Sequence, residues 1–128
     1  MRAIAPQRGA WLLAAGRAVL GTAVLASPEK LTAGWLGASH AHSPVVKYLA
    51  RSLGVRDLAL AIATLTTLED PVVGPRVQAA CAAVDSVDAL ATILARTELP
   101  IRGVIGTVAI AGAAAGAGFY FSHRLAHP

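Results

Sequence analysis

The sequence predicts an all-α membrane protein, a bundle of four transmembrane helices running up-down-up-down. Three observations carry that expectation: four apolar stretches of near-equal length, proline or proline-glycine breaks between them, and a shortage of charge. Hydrophobic residues make up 55% of the 128 residues and charged ones only 14%, against roughly 25% in an ordinary soluble domain. A chain this short makes one domain, 1–128. Aromatic residues are 5% of it, so alanine fills much of the apolar share and the helices must pack backbone to backbone.

The first stretch runs from about Pro6 to Ala26 and ends at Ser27-Pro28, where proline disfavours helix in the residue before it. Arg2 and Arg8 ahead of an apolar run, with Val24-Leu25-Ala26 behind it, resemble a signal peptide. Arg17 cuts the run in half, so the segment is expected to stay as a span. Residues 29–43, with Trp35 and Leu36 between glycines, read as a short interfacial segment at headgroup depth, where tryptophan is at home. The second stretch opens with Ser43-Pro44 and continues to about Leu68. Glu69-Asp70-Pro71 and Gly74-Pro75 form a turn, the third stretch spans about 76–96, and Thr97-Glu98-Leu99-Pro100 breaks it. The fourth extends over about 101–121, with His123, Arg124 and His127 after it. Each is close to the ~20 residues that cross a bilayer, and the short connections make neighbours antiparallel.

The net charge of +4 does not point to nucleic acid, because the basic residues scatter at segment ends and form no stripe with aromatics. Their expected partner is the headgroup layer of the lipid bilayer. Arg2, Arg8, Arg76 and Arg124 fall on one side of a four-span topology and Lys30, Arg96, Arg102 and Lys47 on the other, so orientation is left open. A single cysteine, Cys81, excludes an intrachain disulfide. Abundant alanine, the absence of asparagine and the preference for arginine over lysine suit a GC-rich genome, hence a bacterial plasma membrane.

Charged residues inside the apolar stretches are the informative ones. At 100° per residue, Gln78, Cys81, Asp85, Asp88, Thr92 and Arg96 form a stripe about 80° wide. Ala83, Val87, Leu90 and Leu94 lie opposite. In the second segment Ala50, Gly54, Asp57, Ala61 and Thr64 share a small, polar face flanked by Arg56. Val55, Leu58, Ile62 and Leu65 share the greasy one. In the first, Arg17 lies with Ala10, Ala14 and Gly21. All five charges fall near the middle of their segments. One charge at the bilayer centre costs about 2.5–3.5 kcal/mol, so five unpaired would cost on the order of 15 kcal/mol, as much as the whole net stability of a domain. Arg17, Arg56, Asp57, Asp85 and Asp88 must therefore neutralise one another in one cluster joining the first three segments. Two arginines against three aspartates leave a surplus carboxylate unless Arg51 turns inward. Asp85 or Asp88 is expected to carry a proton, since carboxylates a turn apart do not both ionise cheaply.

Such a cluster is a structural staple, a binding site for a small lipophilic ligand or a proton, or a set of catalytic groups. As an enzyme, the candidates are Asp85, Asp88 and Asp57 as acid and base, with Arg17 or Arg56 steadying an oxyanion during epoxide opening or isomerisation of a lipophilic substrate. A small proton-coupled transporter is a lesser alternative. Four-helix drug exporters match in size but carry a glutamate in the first helix, where this chain has Arg17. Asp85-x-x-Asp88 is shared with intramembrane prenyltransferases and CDP-alcohol phosphotransferases. Ala89 replaces the glycine of the latter, no second acidic motif follows, and the arginines disfavour a divalent cation. His40/His42 and His123/His127 give two ligands at a time, short of a metal site, so neither metal nor cofactor is expected. The fourth segment has small-xxx-small spacings at Gly103/Thr107/Ala111/Ala115 and Gly112/Gly116, suited to packing within the chain or, less so, to a homo-oligomer. A soluble alanine-rich bundle is the remaining alternative, and the nearly charge-free run from Gly103 to Phe121 argues against it.

Gly16-Arg17 with Gly21, Pro28 with Trp35, Leu53-Gly54-Val55-Arg56-Asp57-Leu58 and Asp85-x-x-Asp88 together resemble a family of short four-helix membrane proteins of unknown function, common in actinobacteria and also seen in fungi. The resemblance covers most of the chain, with Ala61 standing where that family usually has a glycine. It implies four spans and a membrane address, and no particular activity.

Overall fold

The structure is a computed structural model and describes residues 5–128; Arg2, counted above among the basic flanks, lies outside the described residues. Six helices follow one another: α1 (Pro6–Ala26), α2 (Pro28–Leu36), α3 (Ala38–Ala41), α4 (Pro44–Thr67), α5 (Val73–Leu94) and α6 (Ile101–Ala126). No strand occurs among the described residues. Helices α1, α5 and α6 are long and apolar enough to cross a membrane. Helix α4 matches them in length, with 24 residues, but carries Lys47, Arg51, Arg56 and Asp57.

Proline opens α1, α2 and α4, where its missing N–H would have no partner in any case. The same tolerance explains why α5 begins at Val73, three residues before the expected start. Gly74-Pro75 reads as a turn, yet both fit within a first turn. There the Asp70 carboxylate accepts the Val72 and Val73 N–H groups at 2.8 Å each, which holds its pKa below the ordinary value. Helix α6 continues five residues beyond Phe121, taking in His123 and Arg124, two cations that suit a helix C-terminus. The stretch expected to lie at the interface is two short helices separated by Gly37, whose φ of 93° is the only positive value among the described residues.

The long helices pack antiparallel to their neighbours. Ser122 near the end of α6 donates to the Pro75 carbonyl at the start of α5 (2.8 Å), Phe121 lies against Gly9 of α1, and Thr64 of α4 meets Cys81 of α5. Contact is most extensive between α5 and α6 and between α1 and α4, and much sparser between α4 and α5. At the α1–α4 crossing, Gly21 and Gly54 face each other so closely that a Cβ on Gly21 would lie 2.7 Å from the Gly54 carbonyl oxygen.

The distribution of side chains is inside out for a protein in water. The buried apolar residues are mostly alanines: Ala10, Ala14, Ala41, Ala50, Ala61, Ala82, Ala111 and Ala115. Large apolar side chains lie on the outside of all four long helices, with Val19 71%, Ile62 60%, Leu94 71% and Ile110 68% exposed. Exposed large apolar side chains on every long helix are costly for a monomer in water. A hydrocarbon solvent removes the penalty and leaves close packing of small residues to hold the helices together.

Candidate functional site

Each of three helices brings its charge to the interior on a face of small residues. Arg17 is flanked along α1 by the buried Ala10, Ala14 and Gly21, which leave space for a long side chain. On α4 the buried positions are Ala50, Gly54, Asp57, Ala61 and Thr64. On α5 they include Gln78, Cys81, Ala82, Asp85 and Thr92, while Val87 and Leu90 face outward.

The five charges meet in an alternating chain, Asp85–Arg17–Asp57–Arg56–Asp88. Arg17 bridges two helices: its Nη2 donates to Asp85 Oδ2 at 2.5 Å and its Nη1 to Asp57 Oδ1 at 3.4 Å. Arg56 holds Asp88 in a two-pronged fork, Nη1 to Oδ1 at 3.0 Å and Nη2 to Oδ2 at 2.7 Å. It also reaches Asp57 Oδ1 through Nε (3.3 Å) and Nη2 (3.1 Å). Asp57 Oδ1 thus accepts from both arginines. Among the described residues no hydrogen bond reaches Asp57 Oδ2 or Asp85 Oδ1. Arg51 is exposed and makes no ion pair among the described residues, so the chain holds three carboxylates and two guanidiniums.

Burial is uneven along it. The side chains of Arg17, Asp57 and Asp85 are 10–12% exposed, whereas Arg56 and Asp88 are 32% each. That outer link lies in an open cleft of about 280 Å³ lined by Arg56, Ala83, Val84, Val87 and Asp88, at the sparse α4–α5 seam. A second open depression of about 370 Å³, lined by Gln7, Arg8, Trp11, Leu12 and Leu68, lies apart from the five-charge chain.

Sequence reasoning did not anticipate a second polar cluster. Glu29 of α2 pairs with Lys47 in the first turn of α4 and, at 3.5 Å, with His42 Nδ1. It ties the short helix to the long one, and no spacing rule links residues on separate helices. The Lys47 hydrogen bond and charge, then His42, keep the Glu29 carboxyl below its ordinary value of 4.5. A lowered carboxylate stabilises the fold at any pH above the ordinary value and loses that contribution as the pH falls through the lowered one. Glu29→Gln is therefore expected to speed amide exchange in α2 near neutral pH, and to leave it unchanged in acid below the lowered value. Equal exchange in both proteins at neutral pH would refute the tether. The buried Trp35 Nε1 has no hydrogen-bond partner among the described residues. The His123 and His127 ring centroids lie 4.7 Å apart, with the planes tilted by 56°. Among the described residues, no three His, Cys, Asp or Glu side chains gather as a metal site.

No family model, no curated protein and no solved structure matches the chain.

Proposed function

We propose that the chain is a multi-pass membrane protein in which α4 crosses the bilayer together with α1, α5 and α6, as an up-down-up-down bundle in a bacterial plasma membrane. The Arg/Asp chain fixes the register of α1, α4 and α5 and holds one exchangeable proton. The single observation behind this is the alternating five-charge chain. It accounts for two of the four charges that set α4 apart, since Arg56 and Asp57 are neutralised by neighbours; of the other two, Lys47 near the helix end pairs with Glu29 and Arg51 is exposed. Each buried ion pair fixes one helix neighbour and one register, a role that ion pairs fill even where they add little net stability. The odd carboxylate then needs a proton, because an uncompensated charge at mid-bilayer depth costs about 2.5–3.5 kcal/mol.

Infrared spectroscopy of the protein in lipid tests this. One protonated carboxyl stretch is expected at neutral pH, shifting in D₂O and disappearing when the residue that carries it is changed to asparagine. Three ionised aspartates would overturn the shared proton. A protein that stays monomeric and folded without detergent would overturn the membrane assignment.

A further inference from the structure

We propose that the cleft between α4 and α5 binds a small lipophilic cation, an amine or quaternary ammonium that enters sideways from the hydrocarbon and replaces the cluster's proton. The inference rests on the membrane reading given above and names the ligand class for the same charges.

Position comes first. Arg56–Asp88 is the one link of the chain open to the outside, and in a bilayer that outside is lipid tail, a poor neighbour for an ion pair. The cleft over it holds about 280 Å³, just under the range of about 300–1,000 Å³ usual for small-molecule sites. Ala83, Val84 and Val87 give this open cleft an apolar wall. An occupant is therefore compact, largely apolar and carries one polar group that faces Asp88.

Charge then selects the occupant. Three carboxylates and two guanidiniums leave the cluster at −1 without its proton. A monocation brings it to zero, a neutral molecule leaves it unchanged, and an anion brings it to −2. Arg56 does not block a cation, because it is not committed to Asp88 alone. Its Nε and Nη2 contacts to Asp57 Oδ1 give it a second carboxylate to keep when Asp88 turns toward a ligand. Proton and cation compensate the same charge, so one displaces the other.

Calorimetry with benzyltrimethylammonium, on protein in nanodiscs of neutral phosphatidylcholine, tests the site. Binding is expected to release about one proton per cation, read from buffers of different ionisation enthalpy. Affinity should rise about tenfold per pH unit while the cluster is protonated. Asp88→Asn is expected to abolish binding, and so is Ala83→Phe, which fills the cleft from an exposed position. Should Ala83→Phe not fold, Val87→Phe, at a side chain 63% exposed, replaces it. Undiminished binding in a folded cleft-filled variant, or tighter binding of benzoate than of the cation, overturns the proposal. Failure of the cation to bind to protein that still shows the protonated carboxyl overturns this inference and leaves the proposed function standing. Binding without proton release, in protein whose aspartates are all ionised, overturns both.

Discussion

Arg17→Leu is expected to destabilise the folded protein by about 3–5 kcal/mol, the usual consequence of removing one partner from a buried ion pair. The effect is at the high end because one side chain serves two carboxylates. Its Nη2 holds Asp85 and its Nη1 holds Asp57, and both acids are about nine-tenths buried. Without it, among the described residues, Asp85 has no remaining cation and Asp57 keeps only Arg56. Arg17→Lys should recover part of the loss, since a single ammonium cannot present two donors along diverging directions as the guanidinium does. The triple variant Arg17→Leu/Asp57→Asn/Asp85→Asn should recover more, by removing the stranded charges rather than the packing. Unfolding in mixed micelles measures all three. An Arg17→Leu protein as stable as the wild type would mean that the cluster does not hold the helices.

Much of this site is legible from helical periodicity, for a physical reason. In a lipid solvent the usual apolar-in, polar-out signal disappears, and what separates the faces of a helix is size and charge. The small, polar set Ala50, Gly54, Asp57, Ala61 and Thr64 can be picked out of α4 on that basis, and these are its buried residues. The pairing within the cluster is not legible. Asp85 and Asp88 are three positions apart on one helix, yet the first goes to Arg17 and the second to Arg56. That division depends on how far α4 and α5 stand apart. Arg51, a candidate for balancing the third aspartate, is exposed because it lies a turn and a half from Arg56, on another face of the helix. The small residues of α6 divide in the same way. Gly103, Ala111, Ala115 and Gly118 are buried, whereas Gly112 and Gly116 are exposed. Glycine spacing alone does not say which of two faces a neighbour will take.

The second large effect is expected where backbone meets backbone. A Cβ on Gly54 would lie 2.8 Å from the Gly21 carbonyl oxygen and 3.1 Å from Leu25 Cγ, so even alanine must push α1 and α4 apart. In an open helix position Gly→Ala is favourable by about 1 kcal/mol. At Gly54 the sign should reverse, with a loss of about 1–3 kcal/mol from overpacking, and Gly54→Leu should lose more. Gly116, whose added Cβ would meet nothing within 4 Å among the described residues, is the control: Gly116→Ala should be neutral or stabilising. The crossing also governs the charges, because Gly21 is four residues after Arg17 and Gly54 three before Asp57, one turn from each in both helices. Separating the helices there lengthens the Arg17–Asp57 contact, already the longest link of the chain at 3.4 Å, before it affects Arg56–Asp88. Gly54→Leu should therefore alter the carboxyl infrared bands as well as stability, whereas a purely steric defect would change stability alone. Equal destabilisation by Gly54→Ala and Gly116→Ala would mean that the α1–α4 crossing is not the close contact on which the register of the charges depends.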